Sequence, residues 1–188
     1  RHGVAAGTRV HMGERLERQA RELVLIGGTS HHLRIAHEVN SIAGVRRFYA
    51  QFIVRSSGSS DARLIDAFAA IPREDFVGLG PWQVFVGSGY IPTISDDPRL
   101  LYQDVMIALA PERQINNGQP SLHARCLAVA APSAGELVVH LGAGTGYYSA
   151  VLAKLVGGVG SVIALEWEED LAERDVRSMR GVSKGEVC

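Results

Sequence analysis

The stretch Leu137-Val138-Val139-His140-Leu141-Gly142-Ala143-Gly144-Thr145-Gly146-Tyr147 decides how this chain is read. An apolar run passes into a G-x-G-x-G turn and then into Tyr148-Ser149-Ala150-Val151-Leu152-Ala153, whose spacing is helical. Strand, turn and helix in that order give a glycine loop chemical meaning. Glycine lets the backbone turn tightly and bring peptide N–H groups against a ligand, and the helix N-terminus adds partial positive charge. A dinucleotide fingerprint would put its third small residue at position 147, where this chain has Tyr147.

The third glycine is Gly146 instead, the spacing of S-adenosylmethionine loops. Downstream, Val159-Gly160-Ser161-Val162-Ile163-Ala164-Leu165 reads as a buried strand ending on Glu166. That acid lies about twenty residues past the loop, at the tip of the next strand, where it can accept hydrogen bonds from ribose hydroxyls. Loop and acid together indicate a nucleoside-cofactor site. The alternative is a glycine-rich β–α turn that binds nothing. Residues 136–166 are thus predicted to form a strand–loop–helix–strand unit with its two strands parallel.

With 188 residues the chain has room for one compact domain and an N-terminal extension. Its formal net charge of -1 gives no electrostatic reason to expect a nucleic-acid or membrane partner. The 2 cysteines, Cys126 and Cys188, have neither metal spacing nor the density of a disulfide framework. Cys126, in an apolar helical run, reads as a core thiol. No run reaches membrane-span length and no signal peptide opens the chain, so a reduced cytoplasmic protein is expected.

Residues 1–46 stand apart: they hold five of the 7 histidines and a charged helical stretch around Arg15, Arg18 and Arg21. Gly27-Gly28-Thr29-Ser30 is a weak second phosphate loop, and His31, His32 and His37 lack the companions of a metal site, so no metal is expected. Residues 47–135 read as a helical and irregular subdomain. Phe48, Phe52 and Ile53 mark an amphipathic helix broken by Ser56-Ser57-Gly58-Ser59-Ser60. Asp61 caps a helix with Leu64, Ile65, Phe68 and Ala69 on its apolar face, ended by Ile71-Pro72. Residues 78–100 read as irregular and 101–110 as a short strand. After the turn Asn116-Asn117-Gly118-Gln119-Pro120, Ser121 is the expected cap of a helix over 122–131. Residues 136–174 form the first part of a cofactor-binding α/β domain, and 175–188 is an atypical tail without periodicity.

The order of these landmarks resembles the protein-L-isoaspartate (D-aspartate) O-methyltransferase family. The residues that carry the resemblance are Arg63-Leu64-Ile65-Asp66-Ala67-Phe68, Ile71-Pro72-Arg73-Glu74-Asp75-Phe76-Val77, Gln119-Pro120 with His123-Ala124, the loop Leu141–Tyr147, and Glu166. The resemblance covers roughly residues 47–174. The resemblance implies an α/β fold: an incomplete Rossmann-like S-adenosylmethionine-methyltransferase sheet, C-terminally truncated, preceded by a mainly helical N-terminal region. It implies S-adenosylmethionine as cofactor and methylation of L-isoaspartyl and D-aspartyl residues in damaged proteins or peptides.

On that resemblance Leu141, Gly142, Ala143, Gly144 and Gly146 meet the cofactor and Glu166 holds its ribose. Trp167 lies against the adenine or is simply a buried apolar side chain. His123 matches a family position near the cofactor, or is a satisfied helix histidine. Asn116 and Asn117 donate amide hydrogen bonds, or are turn residues only. Three features depart from the family. Gly118 stands where the family carries a hydroxyl residue, so no catalytic residue is assigned. His140 replaces the acid of the cofactor strand. The strands that would complete the sheet do not follow Glu166. Two alternatives stay open: a related methyltransferase with another carboxylate substrate, and a truncated, non-catalytic fragment.

Overall fold

The structure, a computed structural model of the protein, describes residues 41–179, with side chains through residue 174. In chain order come α1 (Ile42–Ser56), α2 (Ala62–Ala70), a 3-10 turn (Arg73–Phe76), β1 (Gln83–Phe85), β2 (Tyr90–Pro92) and a second 3-10 turn (Pro98–Leu101). There follow β3 (Ala108–Ala110), β4 (Ile115–Asn116), α3 (Pro120–Ala130), β5 (Leu137–Leu141), α4 (Tyr147–Val156), β6 (Ser161–Leu165) and α5 (Glu169–Met179). The weak phosphate loop at 27–30 and the histidines 31, 32 and 37 lie outside the described residues. None of the described helices is long and apolar enough to cross a membrane.

Helix α1 starts at Ser41, whose hydroxyl accepts from the Gly44 N–H at 3.1 Å. It buries Tyr49, Ala50, Ile53 and Val54 and leaves Phe48 70% and Phe52 50% exposed. The helical period was therefore legible, but its inward face sits one residue round from the expected one. Helix α2 begins where expected, with the Asp61 carboxylate accepting from Arg63 N–H at 2.8 Å. Its Leu64, Ile65 and Phe68 join α1, α3 and α4 in one core that also takes in Val162 of β6.

The region 78–100 is more regular than expected. Antiparallel strands β1 and β2 form a hairpin, with Val84 opposite Ile91 and the Phe85 and Tyr90 rings edge to face at 5.4 Å. Three-residue strands are too short to show alternation, and glycine-rich flanks disguised them. Only 108–110 of the expected strand 101–110 is a strand, paired with β4. The reason lies in a side chain: the carbonyls of Leu101, Gln103 and Val105 bend onto the Arg73 guanidinium instead of a strand ladder.

Helix α3 begins two residues before the expected 122, at Pro120, with Gln119 rather than Ser121 in the capping position. Proline suits a first helical position because it has no N–H to satisfy. The Ser121 N–H is capped from a distance by the Asp104 carboxylate at 2.8 Å. Cys126 is exposed, not a core thiol, because α3 buries Pro120, Ala124 and Leu127 on its other side. Finally, β5 and β6 pair in parallel, Leu137 opposite Ser161 through Leu141 opposite Leu165. Between them α4 buries Val151, Leu152 and Val156. Helix α5 runs on past residue 174, where the sequence reading placed the start of an atypical tail.

Candidate functional site

Gly142, Gly144 and Gly146 all take left-handed backbone angles, φ 72°, 60° and 90°, a conformation side chains resist. The chain leaves β5, folds over the tip of β6 and enters α4 within five residues. A Cβ at Gly142 would meet nothing, so the loop's face is open there, while at Gly144 it would meet Leu109 of β3 at 3.5 Å. The loop amides, expected to be bare, are used. Gly142 and Ala143 donate to Leu165 O at 2.8 and 3.1 Å, and Gly146 donates to Ala143 O at 3.0 Å. Closing so tight a turn over the neighbouring strand turns these N–H groups inward. What the loop leaves open is the Cα surface at Gly142.

Glu166 stands at the tip of β6 and clasps that loop. One carboxylate oxygen accepts from Gly144 N–H at 2.6 Å; the other accepts from Trp167 and Glu168 N–H at 2.8 and 3.0 Å. A carboxylate has about four lone-pair sites, so roughly one remains for a ligand hydroxyl rather than the two that ribose recognition alone would use. Trp167 is 94% exposed, which excludes the buried apolar reading for it. An open glycine face beside a carboxylate with acceptor capacity left, and an exposed indole next in sequence, fit a nucleoside carrying hydroxyls.

A second group of residues gathers around Gly118. Asn116 Oδ1 accepts from Gly118 N–H at 2.9 Å, and Asn117 Oδ1 accepts from Ile107 N–H at 2.8 Å. Both side-chain carbonyls therefore build the turn. Gly118 itself has φ 72°, and its space is taken: a Cβ there would lie 2.9 Å from His123 Nδ1 and 3.1 Å from Nε2. The His123 ring stacks on Tyr148 of α4, centroids 3.7 Å apart and planes 4° from parallel. His123 Nδ1 lies 3.1 Å from Gln119 O, and a carbonyl can only accept, so Nδ1 carries the proton and Nε2 the lone pair in the neutral ring. Burial holds this imidazole below the ordinary histidine range, and the nearby Arg73 charge adds to that effect.

His140, the residue in place of the family's strand acid, lies on the face of β5 that meets α4. Its Nδ1 is 2.8 Å from the hydroxyl of the fully buried Ser149. Burial lowers its pKa too; a positive charge on His123 lowers it further and Glu166 opposes.

The sequence reading met Arg73 only within the Ile71–Val77 segment, as part of a helix end and of the family resemblance, and gave it no role of its own. It is fully buried and donates to Leu101 O (2.6 Å), Gln103 O (3.0 Å), Val105 O (2.8 Å) and Asn117 Oδ1 (3.4 Å). Its guanidinium also lies 5.8 Å from the Tyr49 ring centre. All these acceptors are neutral, so the site's wall contains a buried cation. The sequence carried little signal for it: Arg73 is followed by Glu74 and Asp75 in the Ile71–Val77 run, and nothing local marks which of these charges is buried among a dedicated set of acceptors. Behind it, Tyr102 donates to Glu74 and accepts from Arg46 Nε at 2.8 Å, and burial together with Glu74 drives its pKa upward.

Parallel strands joined through a helix, with a clasped glycine loop at their tips, define the opening unit of an α/β domain that takes a nucleoside cofactor. Profile comparison agrees: the description "Protein-L-isoaspartate(D-aspartate) O-methyltransferase (PCMT)" matches residues 52–187, and the chain belongs to that family. The matched span runs beyond 174, where the sequence reading ended the resemblance. A protein-L-isoaspartate O-methyltransferase of Bordetella avium is 31% identical over 131 residues, covering 68% of this chain and 42% of the relative. A solved protein-L-isoaspartate O-methyltransferase superposes with TM-score 0.58 at 26% identity, over 76% of this chain and 41% of that one. A Plasmodium falciparum structure, described as a beta-aspartate methyltransferase in complex with S-adenosyl-L-homocysteine, shares the fold with TM-score 0.53 at 16% identity, over 73% of this chain and 56% of its own. The chain spans about a third to a half of the curated relatives it matches.

Proposed function

We propose that this chain supplies the cofactor loop and the acceptor wall of an S-adenosylmethionine-dependent carboxyl methyltransferase, acting on L-isoaspartyl and D-aspartyl residues of damaged proteins in the cytoplasm. One observation carries the reading: Glu166 clasps the Leu141–Gly146 loop at the tip of the parallel β5–β6 pair. Family membership and the S-adenosyl-L-homocysteine in the Plasmodium neighbour support it.

In this reading the loop Gly142–Gly144 lays its backbone, open at Gly142, against the cofactor, Glu166 takes a ribose hydroxyl, and Trp167 packs beside the adenine. When bound, the cofactor supplies an electrophilic methyl group on a sulfonium. The acceptor is a carboxylate, already ionised at neutral pH, so the chain needs no strong base. Its own work is to hold that carboxylate in line and to place dipoles and positive charge around it. Arg73, buried behind Asn117, supplies fixed positive charge to the wall, and Tyr148 backs the His123 ring. Asn116 and Asn117 set the turn that carries Gly118.

Methyl incorporation into an isoaspartyl peptide, compared with its aspartyl twin, tests the assignment. Labelling of the isoaspartyl peptide alone is expected. Equal labelling of both would favour a relative with another carboxylate substrate, a reading supported by Gly118 in place of a hydroxyl residue. Calorimetric titration with S-adenosylmethionine tests the cofactor site separately, and silence there would favour a non-catalytic fragment.

A further inference from the structure

The strand tip that carries Glu166 and Trp167 is acidic: Glu166, Glu168, Glu169 and Asp170 lie within five residues. Left alone, such carboxylates repel one another and open the turn. An arginine from another element holds them. Arg113 ends the 3-10 turn Pro111–Arg113, which follows β3. Its Nη1 and Nη2 donate to the two Asp170 oxygens at 3.0 and 2.7 Å, and Nη1 also donates to Glu168 Oε2 at 2.5 Å. A longer contact of 3.5 Å joins Nε to Glu112. The Arg113 bonds hold the Asp170 carboxyl below the usual carboxylate range. The next residue, Gln114, has φ 58°, a left-handed conformation that side chains resist, so the turn presenting Arg113 is closed against local preference.

Two further contacts join the same parts. Arg174 of α5 donates to Leu109 O of β3 at 3.4 Å, and Leu109 packs against Gly144 of the glycine loop. Glu168 in turn gives its N–H to Glu166, which clasps that loop. Arg113, Glu168 and Glu166 therefore make one chain of bonds from the end of β3 to the cofactor side. Exposed ion pairs add little to stability, and Arg113 is 36% exposed. The effect of this contact is to fix where the segment after β6 lies.

We propose that Arg113 is a positioning residue of the cofactor site, holding Glu168 and Asp170 so that Glu166 and Trp167 keep the arrangement a bound nucleoside needs. The proposal rests on the cofactor reading above. Arg113 itself touches no ligand. Because it fixes the turn beforehand, a nucleoside does not have to order an exposed tryptophan and a row of like charges as it binds. The planar fork matters as much as the charge, since two oxygens of one carboxylate are held at once.

The test titrates the full chain with S-adenosyl-L-homocysteine and follows indole emission under acrylamide, a quencher that reaches exposed Trp167 and not buried Trp82. In the parent the ligand shields Trp167. Arg113→Met keeps a stem and removes the fork. Its affinity should fall about three- to tenfold and part of the Trp167 shielding should be lost, while the urea midpoint stays near that of the parent. Glu168→Gln combined with Asp170→Asn removes the other half of the contact and should give the same loss. All three substitutions together should be no worse than either set alone. Affinity and shielding equal to the parent's, losses that simply add, or a fall in urea stability matching the fall in affinity would overturn the proposal and leave the cofactor site standing. A parent chain that binds no S-adenosyl-L-homocysteine overturns both. Should Arg113→Met not fold, the paired carboxylate variant decides alone.

Discussion

At the scale of single residues, Glu166 does two jobs that the sequence suggested as one. Its carboxylate holds three backbone amides as well as facing the cofactor side. Glu166→Gln keeps the shape but replaces one acceptor oxygen with a donor. Affinity for S-adenosylmethionine should fall roughly ten- to a hundredfold, the weight of one or two charge-assisted hydrogen bonds. Stability should fall as well, by about 1–2 kcal/mol, because an amide of the loop loses its partner. Calorimetry and urea unfolding on the same variant check both. Unchanged stability would mean that the clasp contributes nothing to the fold.

The two described histidines give a pH signature with a definite sign. Burial lowers both pKa values in the folded chain, while the unfolded chain titrates near about 6.5. Between those values the unfolded state binds more protons, so stability rises with pH and is lost as pH falls through about 6.5 toward the folded midpoints. The urea midpoint should therefore drop between pH about 7.5 and about 5.5, and His140→Gln should flatten that slope. The capping carboxylate Asp61, whose pKa is lowered by its Arg63 bonds, acts in a separate, more acid window. An equal slope in parent and variant would show that His140 titrates as it does in the unfolded chain.

At the scale of elements, α1 shows how a helix can be legible while its orientation is not. Phe48, Phe52 and Ile53 read as its apolar face, yet only Ile53 of the three is buried. Its inward face is completed by Tyr49, whose ring meets Tyr102 edge to face at 5.4 Å, and by Ala50 at the α2 crossing. Ile53→Ala should cost about 2–5 kcal/mol, whereas Phe48→Ala should lie within about 0.5 kcal/mol of the parent. Thermal or urea unfolding of the pair checks the register, and comparable losses would refute it.

At the scale of the whole molecule, the described residues cover the parallel pair on one side only. Val138 and Val162 face α4 and the helical core, while Leu137, Val139, Leu141 and Leu165 remain 65%, 53%, 74% and 50% exposed on the other side. Parallel strands ordinarily lie buried on both faces. A bare apolar face of this kind drives association. The 188-residue chain should therefore self-associate as its concentration rises, and Val139→Lys should shift that onset upward. Sedimentation velocity across a dilution series reads it out. A parent chain that stays monomeric throughout, or a lysine variant that associates equally, would show that this face is not the sticky one.

What the sequence determined on its own was local and periodic. The apolar run, the three glycines and the helical spacing after them specified β5, its turn and α4, because backbone conformation there follows from residue type. Glu166 was legible by its distance from the loop, and the cap at Asp61 by its chemistry. The tertiary structure decided whatever depends on partners far along the chain. Whether the loop amides meet a ligand or Leu165, which carboxylate caps α3, and why 101–105 is not a strand were settled by Leu165, Asp104 and Arg73. Each lies many residues away, and periodicity carries no record of such distances. The same holds at Gly118, where the sequence shows only a missing side chain. Only the fold shows what borders it, because α3 and α4 bring His123 and Tyr148 beside that glycine.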